Sequence, residues 1–169
     1  TRPCRRLSDS EFWHSAFIIR LQSVDRDPRY PKPELRVPPN ADPRFEEQVA
    51  LKAIKAPRSY DLFWGSTARI ESDVIVAVLD TGIDYRHADL QNRMWRSADG
   101  DFGANFVSSS GDPLDDNGHG THCAGLIGAE SSNGIGISGI MGFNLKLMAV
   151  KVLDAQGGGD LITVASGIR

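Results

Sequence analysis

Two side chains in this sequence are of types that can pass a proton between them. The first is Asp80, which closes the apolar run Val74-Ile75-Val76-Ala77-Val78-Leu79 and opens the turn Thr81-Gly82. The second is His119, set between Gly118 and Gly120 after the turn-forming run Asp115-Asp116-Asn117. A carboxylate that accepts from one imidazole nitrogen fixes the tautomer. It also stabilises the imidazolium that forms when the other nitrogen takes a proton. Such a pair is the orienting half of a nucleophilic triad, whose third member is a hydroxyl or thiol activated by the ring.

The elements around these residues must bring them together. The run 74–79 is continuous, β-branched and too short to span a membrane, which suits a buried parallel strand. An aspartate at the carboxyl end of such a strand lies where open α/β sheets bind ligands. After His119 come Thr121, Cys123, Ala124, Gly125, Gly128 and Ala129, all small. They predict a loop running into a helix that packs closely on its neighbours, with His119 in its first turn and glycines leaving room for a substrate beside the ring. A second buried strand is expected over 145–153, although Lys146 and Lys151 interrupt it. Asp160 is placed to cap a helix that starts Leu161-Ile162-Thr163-Val164.

Taken in order, Asp80-Thr81-Gly82-Ile83-Asp84, His119-Gly120-Thr121-His122-Cys123-Ala124-Gly125 and Ala149-Val150-Lys151-Val152-Leu153, with Ile54-Lys55-Ala56-Pro57 ahead of them, resemble the subtilases, the subtilisin-like serine peptidases. Asp-Thr-Gly alone would not carry this, because aspartic peptidases use the same tripeptide. Two motifs in family order with their flanking strands do. The resemblance implies a three-layer α/β/α fold with a mostly parallel sheet, present here in part. It implies peptide-bond hydrolysis through an acyl-enzyme, with Asp80 and His119 in the catalytic roles and a serine further along. The family's serine lies in a Gly-Thr-Ser motif, and none follows His119 in this sequence. Ser166, within Val164-Ala165-Ser166-Gly167-Ile168, lacks that setting. Residues 41–169 therefore read as the amino-terminal part of a peptidase domain ahead of its serine, and inactive alone. A non-catalytic calcium- or peptide-binding relative, or an inactive truncated fragment, is the alternative. A Gly-Thr-Ser downstream of Arg169 separates the two.

The resemblance also implies a structural calcium ion. The Gly-rich turn from Glu130 to Gly139 lacks the lysine and strand-first context of a phosphate loop and resembles the family's calcium loop. Calcium takes six to eight oxygens, so distant carboxylates must join such a loop. The implied ligands are the side chains of Asp42, Asp89 and Asn133 with carbonyls at Glu130, Ile135 and Ile137. Asp89 belongs to His87-Ala88-Asp89-Leu90, where Ala88 stands in place of the family's usual proline. The turn Gly157-Gly158-Gly159 matches the edge on which subtilases hold an extended substrate peptide by strand addition.

The remaining sequence sets limits. A formal net charge of −3 gives no electrostatic footprint for nucleic acid, and 40% hydrophobic content is enough for a core. No stretch is long and apolar enough to cross a membrane. Cys4 and Cys123 do not make a disulfide framework, and Cys123 is expected as a buried free thiol. Residues 1–40 read as an extension: a mixed apolar segment at 7–24, either a prodomain remnant able to inhibit the enzyme or a plain extension, then a Pro-rich linker. The first residue is Thr1 and no signal peptide pattern is visible, while the resemblance points to secretion. Loose helical periodicity covers Phe45 to Ala56, a short helix is expected over Arg58 to Trp64, and a short strand over Asn105-Phe106-Val107. Ser108 to Asn117 reads as a surface loop whose Asp112, Asp115 and Asp116 are solvated rather than bound to a cation.

Overall fold

The computed structural model describes residues 42–56, 73–108, 110–141 and 145–169. The expected apolar segment at 7–24, the Pro-rich linker, Cys4 and the helix over 58–64 lie outside the described residues.

The centre of the fold is a parallel three-stranded sheet in the order β1-β3-β2, with β1 at Val74–Asp80, β2 at Gly103–Asn105 and β3 at Leu145–Lys151. The strands β1 and β3 pair along their whole length, from Val74 opposite Leu145 to Asp80 opposite Lys151. The expected strands sit where the apolar runs place them. However, β1 begins exposed, with Val74 at 44% and Ile75 at 52%, because it is an outer strand of the described sheet. The short strand β2 starts and ends earlier than its sequence suggests. Phe106 and Val107 are exposed, and Phe106 adds only its N–H to the Lys151 carbonyl.

Alternation along the strands sends successive side chains to opposite faces. Val78, Leu145, Leu147 and Ala149 share one core with Ala124 and Ala129, which come from helix α2 (His119–Gly128) and the residue after it. Val150 and Leu79 face the other way. There, helix α3 (Leu161–Ile168) comes so close that a side chain on Gly167 would run into Val150 and Val152. One helix on each face makes the α/β/α layering that the family resemblance implies. Leu147 has no exposed surface, and truncating such a residue to alanine costs about 2–5 kcal/mol. The expected helical stretch at 45–56 is two pieces, a 3-10 turn at Phe45–Glu47 and helix α1 at Val49–Ala53. Gln48 separates them with backbone angles of φ −80° and ψ 68°, outside the helical region. It bonds both main-chain groups of Ser138, at 2.8 Å each.

Candidate active site

Asp80 is the last residue of β1 and is fully buried. Its main-chain carbonyl accepts from Val152 and Leu153 just past the end of β3, so sheet hydrogen bonding fixes the point at which the chain turns away. Within that turn the Thr81 N–H donates to Asp80 Oδ1 at 2.7 Å. The carboxylate is thereby held in one rotamer before any partner arrives.

His119 is the first residue of α2. The two glycines beside it have different jobs. Gly118 has φ +104°, a left-handed cap conformation that disfavours a side chain. At Gly120 a Cβ would fall on the Gly82 carbonyl oxygen and lie 3.1 Å from Asp80 Cβ. The room made by Gly120 is therefore for the aspartate turn, and the expectation that it serves a substrate is corrected on this ground.

The result is a short contact between the two functional groups. His119 Nδ1 lies 2.8 Å from Asp80 Oδ1 and 2.9 Å from Oδ2. A carboxylate partner assigns the proton to Nδ1 and leaves Nε2 as the nitrogen that takes and returns a proton. The histidine side chain is 33% exposed, so the pair has a buried end and a wet end. Cys123, one helical turn on, has its sulfur 3.9 Å from Nδ1. It is half-buried rather than buried, packed against the margin of the core.

The acidic loop before His119 is not merely solvated. Asp115 receives five hydrogen bonds. They come from the Thr81 hydroxyl, the N–H groups of Asn117, Gly118 and Thr121, and the Thr121 hydroxyl. Its partial burial pushes the carboxyl up, but the bonds from Gly118, Thr121 and Asn117 outweigh this and lower it to about 2. Asp116 pairs with the Lys151 ammonium at 2.6 Å, and Asp112 accepts from the Tyr85 hydroxyl at 3.1 Å. The reading as solvated acids fails for Asp115, which is half-buried and whose Thr81 donor lies 34 residues away, whereas Asp112 and Asp116 are exposed as expected.

A second cluster surrounds the turn at 131–138. Asp42 and Asp89 are both buried, at 4% and 2% exposure. Asp42 accepts from the N–H groups of Ser132 at 2.9 Å and Asn133 at 3.0 Å, and from the Ser138 hydroxyl. Asp89 accepts from the Ile137 N–H at 3.0 Å and from the Asn133 side chain at 2.9 Å. Asn133 thus bridges the two carboxylates. The Ile135 N–H returns to Asn133 Oδ1 at 2.8 Å. Glu130 meets Asp89 through its main chain, while its carboxylate turns away to Asn92 and Arg93. Buried hydroxyl oxygens of Ser131 and Ser132 have no hydrogen-bond partner among the described residues. Two buried carboxylates, an amide oxygen and two hydroxyl oxygens are hard-oxygen donors of the type calcium takes, and the four carboxylate oxygens each accept an N–H or O–H here.

Past β3, Gly157, Gly158 and Gly159 form a fastened turn. Asp154 Oδ1 accepts from Gln156 and Gly158, and the Asp154 N–H donates to the Gly158 carbonyl at 2.8 Å. Gly158 and Gly159 are exposed. The expected cap on α3 is present, with the Thr163 N–H donating to Asp160 Oδ1 at 2.7 Å.

The model of the subtilase family matches residues 71–169. Thermitase of Thermoactinomyces vulgaris is 38% identical over 128 residues, covering 75% of this chain and 41% of that protein. The cell wall-associated protease of Bacillus subtilis (strain 168) is 43% identical over 98 residues, covering 58% of this chain and 10% of that protein. Among solved structures, a protease of Pseudoalteromonas arctica superposes with a TM-score of 0.60 at 28% identity, covering 76% of this chain and 43% of that one. The chain spans less than half the length of each of these relatives.

Proposed function

The chain belongs to the subtilase family, and from that premise we propose that it is the amino-terminal part of a serine endopeptidase domain that hydrolyses protein or peptide substrates through an acyl-enzyme. The observation that carries this reading is the Asp80–His119 contact of 2.8 Å with an exposed ring edge. In the reaction His119 Nε2 takes the proton of a serine supplied further along the chain and later returns it to the leaving amine. Asp80 holds Nδ1–H and the positive charge that forms. Residues 41–169 are the domain part and residues 1–40 an extension that includes a candidate inhibitory prodomain remnant.

Gly158 and Gly159, on an exposed turn, are suited to pair main chain with an extended substrate, and Gly157 shapes that turn. Subtilases commonly bind structural calcium. Here Asp42, Asp89 and Asn133 would hold it through side chains, and Glu130, Ile135 and Ile137 through carbonyls. The ion would neutralise two buried carboxylates and stabilise the turn. Among the described residues no helix is long and apolar enough to cross a membrane. The named relatives include a cell wall-associated protease, and secretion is proposed for this chain on that likeness.

The test is covalent labelling of the full-length protein with a fluorophosphonate. Labelling on a serine downstream of Arg169, lost in His119→Ala, is expected. A full-length protein that resists labelling while folded would overturn the peptidase reading and favour a binding role.

A further inference from the structure

We propose that Asp115 is a positioning residue for the Asp80–His119 pair, an inference that rests on the peptidase reading above. Its carboxylate touches both halves of the pair's support. Oδ1 accepts from the Thr81 hydroxyl at 2.8 Å, and Thr81 is the residue whose N–H fixes Asp80 Oδ1. The same Thr81 hydroxyl oxygen accepts from the N–H of Gly120, the neighbour of His119, at 3.0 Å. Oδ1 also takes the N–H groups of Asn117 and Gly118 at 3.0 and 2.9 Å. Oδ2 takes the N–H and hydroxyl of Thr121 at 2.9 and 2.5 Å. Thr121 in turn accepts from the Asp84 N–H at 2.8 Å, beyond the aspartate turn.

An ordinary helix cap satisfies one or two free N–H groups at a helix start and nothing more. Asp115 does this for α2 and in addition grips the end of β1 through Thr81. One carboxylate therefore sets the distance between the turn that carries Asp80 and the helix that carries His119. Productive geometry in such sites tolerates errors of about 0.5 Å. An amide cannot replace it, because only one of its two polar atoms accepts. With Asn at 115 either the Thr81 side or the Thr121 side meets a donor instead of an acceptor.

The experiment uses the full-length protein with kcat referred to active sites counted by fluorophosphonate titration, so that misfolded molecules drop out. Asp115→Asn and Thr81→Val are each expected to lower kcat by about 10- to 100-fold, the scale of a misplaced catalytic group. KM for a peptide substrate is expected to stay within about 2-fold, as for an interaction felt in the transition state alone. Thr81→Ser keeps the hydroxyl and should restore kcat to within about 3-fold of wild type, because the relay to Asp115 and Gly120 is retained. Thr81→Val and Thr81→Ser carry the test if Asp115→Asn does not fold.

A double-mutant cycle separates positioning from stability. On an Asp80→Asn background, Asp115→Asn should change kcat by less than about 2-fold, because the geometry it protects is already lost. Unchanged kcat per titrated site in Asp115→Asn and Thr81→Val, a loss carried by KM, or a loss additive with Asp80→Asn overturns the inference while leaving the peptidase reading intact. An Asp80→Asn enzyme with wild-type kcat overturns both.

Discussion

Lys151 stands opposite Asp80 in the β1–β3 register, and its ammonium donates to the carbonyl of Thr81, the residue after the aspartate. The lysine side chain is only 5% exposed, yet each of its three protons has an acceptor: Thr81 O and Asp116 Oδ1 at 2.6 Å and Leu153 O at 3.1 Å. It joins the aspartate turn, the loop before the histidine and the end of β3 at one point. Lys151→Met leaves two carbonyls without that donor and is expected to cost the full-length protein about 2–4 kcal/mol. Asp116→Asn should cost less than about 1 kcal/mol, since that carboxylate is 52% exposed and returns to water. Denaturant midpoints measure both. Equal losses would show that the ammonium is held by the ion pair rather than by the carbonyls.

The proposed roles of the central pair predict unequal but severe losses. In the full-length enzyme, His119→Ala should lower kcat by about 10⁶-fold and Asp80→Asn by about 10⁴-fold, the general scale of removing a triad base or its orienter. Asparagine keeps the shape but offers one acceptor oxygen and one NH2 donor, so an imidazole with a bare Nδ1 can pair with it and the ring loses its assigned tautomer. Steady-state kinetics on a peptide substrate decides this, and turnover near wild type in either variant rules out the assignment.

Asp115 also predicts a pH dependence of stability. Its carboxyl is lowered from the ordinary 3.8 to about 2 in the fold. A depressed carboxyl contributes stability that is fully present above its unfolded value and is lost as pH falls through its folded value. The stability gap between wild type and Asp115→Asn should therefore be constant above 3.8 and close as pH falls toward about 2. Urea midpoints across that range are the measurement. A gap that stays constant to the acid end would mean that the carboxylate charge is not what the five donors hold.

How much of this the sequence reveals depends on how far each partner lies along the chain. Strand β1 and the Asp80 turn are legible because an apolar β-branched run stops abruptly at a carboxylate. The start of α2 is legible because Gly118 and Gly120 punctuate it. The roles of Asp115, Asp116 and Lys151 are not. Asp115 meets Thr81 across 34 residues and Lys151 meets Thr81 across 70, and a single sequence carries no sign of such pairings. Lys151 read instead as a blemish in an apolar strand. Gln48 was missed for the same reason, since its partner Ser138 is 90 residues away. Phe106 and Val107 misled in the opposite sense, because β-branched and aromatic character marks a strand only where a neighbour covers it.

The proposed calcium site predicts a metal-dependent melting temperature. A metal that binds the folded state alone raises stability by mass action, about 2.7 kcal/mol at a hundredfold excess over Kd. A chelator should lower the melting temperature of the full-length protein. Asp89→Ala should abolish most of that response, since Asp89 anchors Asn133 and Ile137 together. Differential scanning calorimetry with and without chelator is the check. A melting temperature that ignores the chelator in wild type removes calcium from this site.

The polypeptide of residues 1–169 tested by itself should show no peptidase activity. It holds a base and its orienter but no Gly-Thr-Ser after His119. Ser166 does not substitute, because its hydroxyl donates to the Ile162 carbonyl within α3 at 2.8 Å. Ser138 is equally committed, to Asp42. The same polypeptide should associate with itself. Leu161 and Ile162 on α3 are 81% and 79% exposed, and among the described residues β1 is an outer strand, with Val74 and Ile75 exposed. Apolar patches and open strand edges drive aggregation unless something covers them. Light scattering at rising concentration should report assembly, and a fluorophosphonate should label nothing. Covalent labelling, or casein hydrolysis that vanishes in His119→Ala, would show that a serine within these residues reaches the imidazole, and the division of the catalytic groups proposed here would fall.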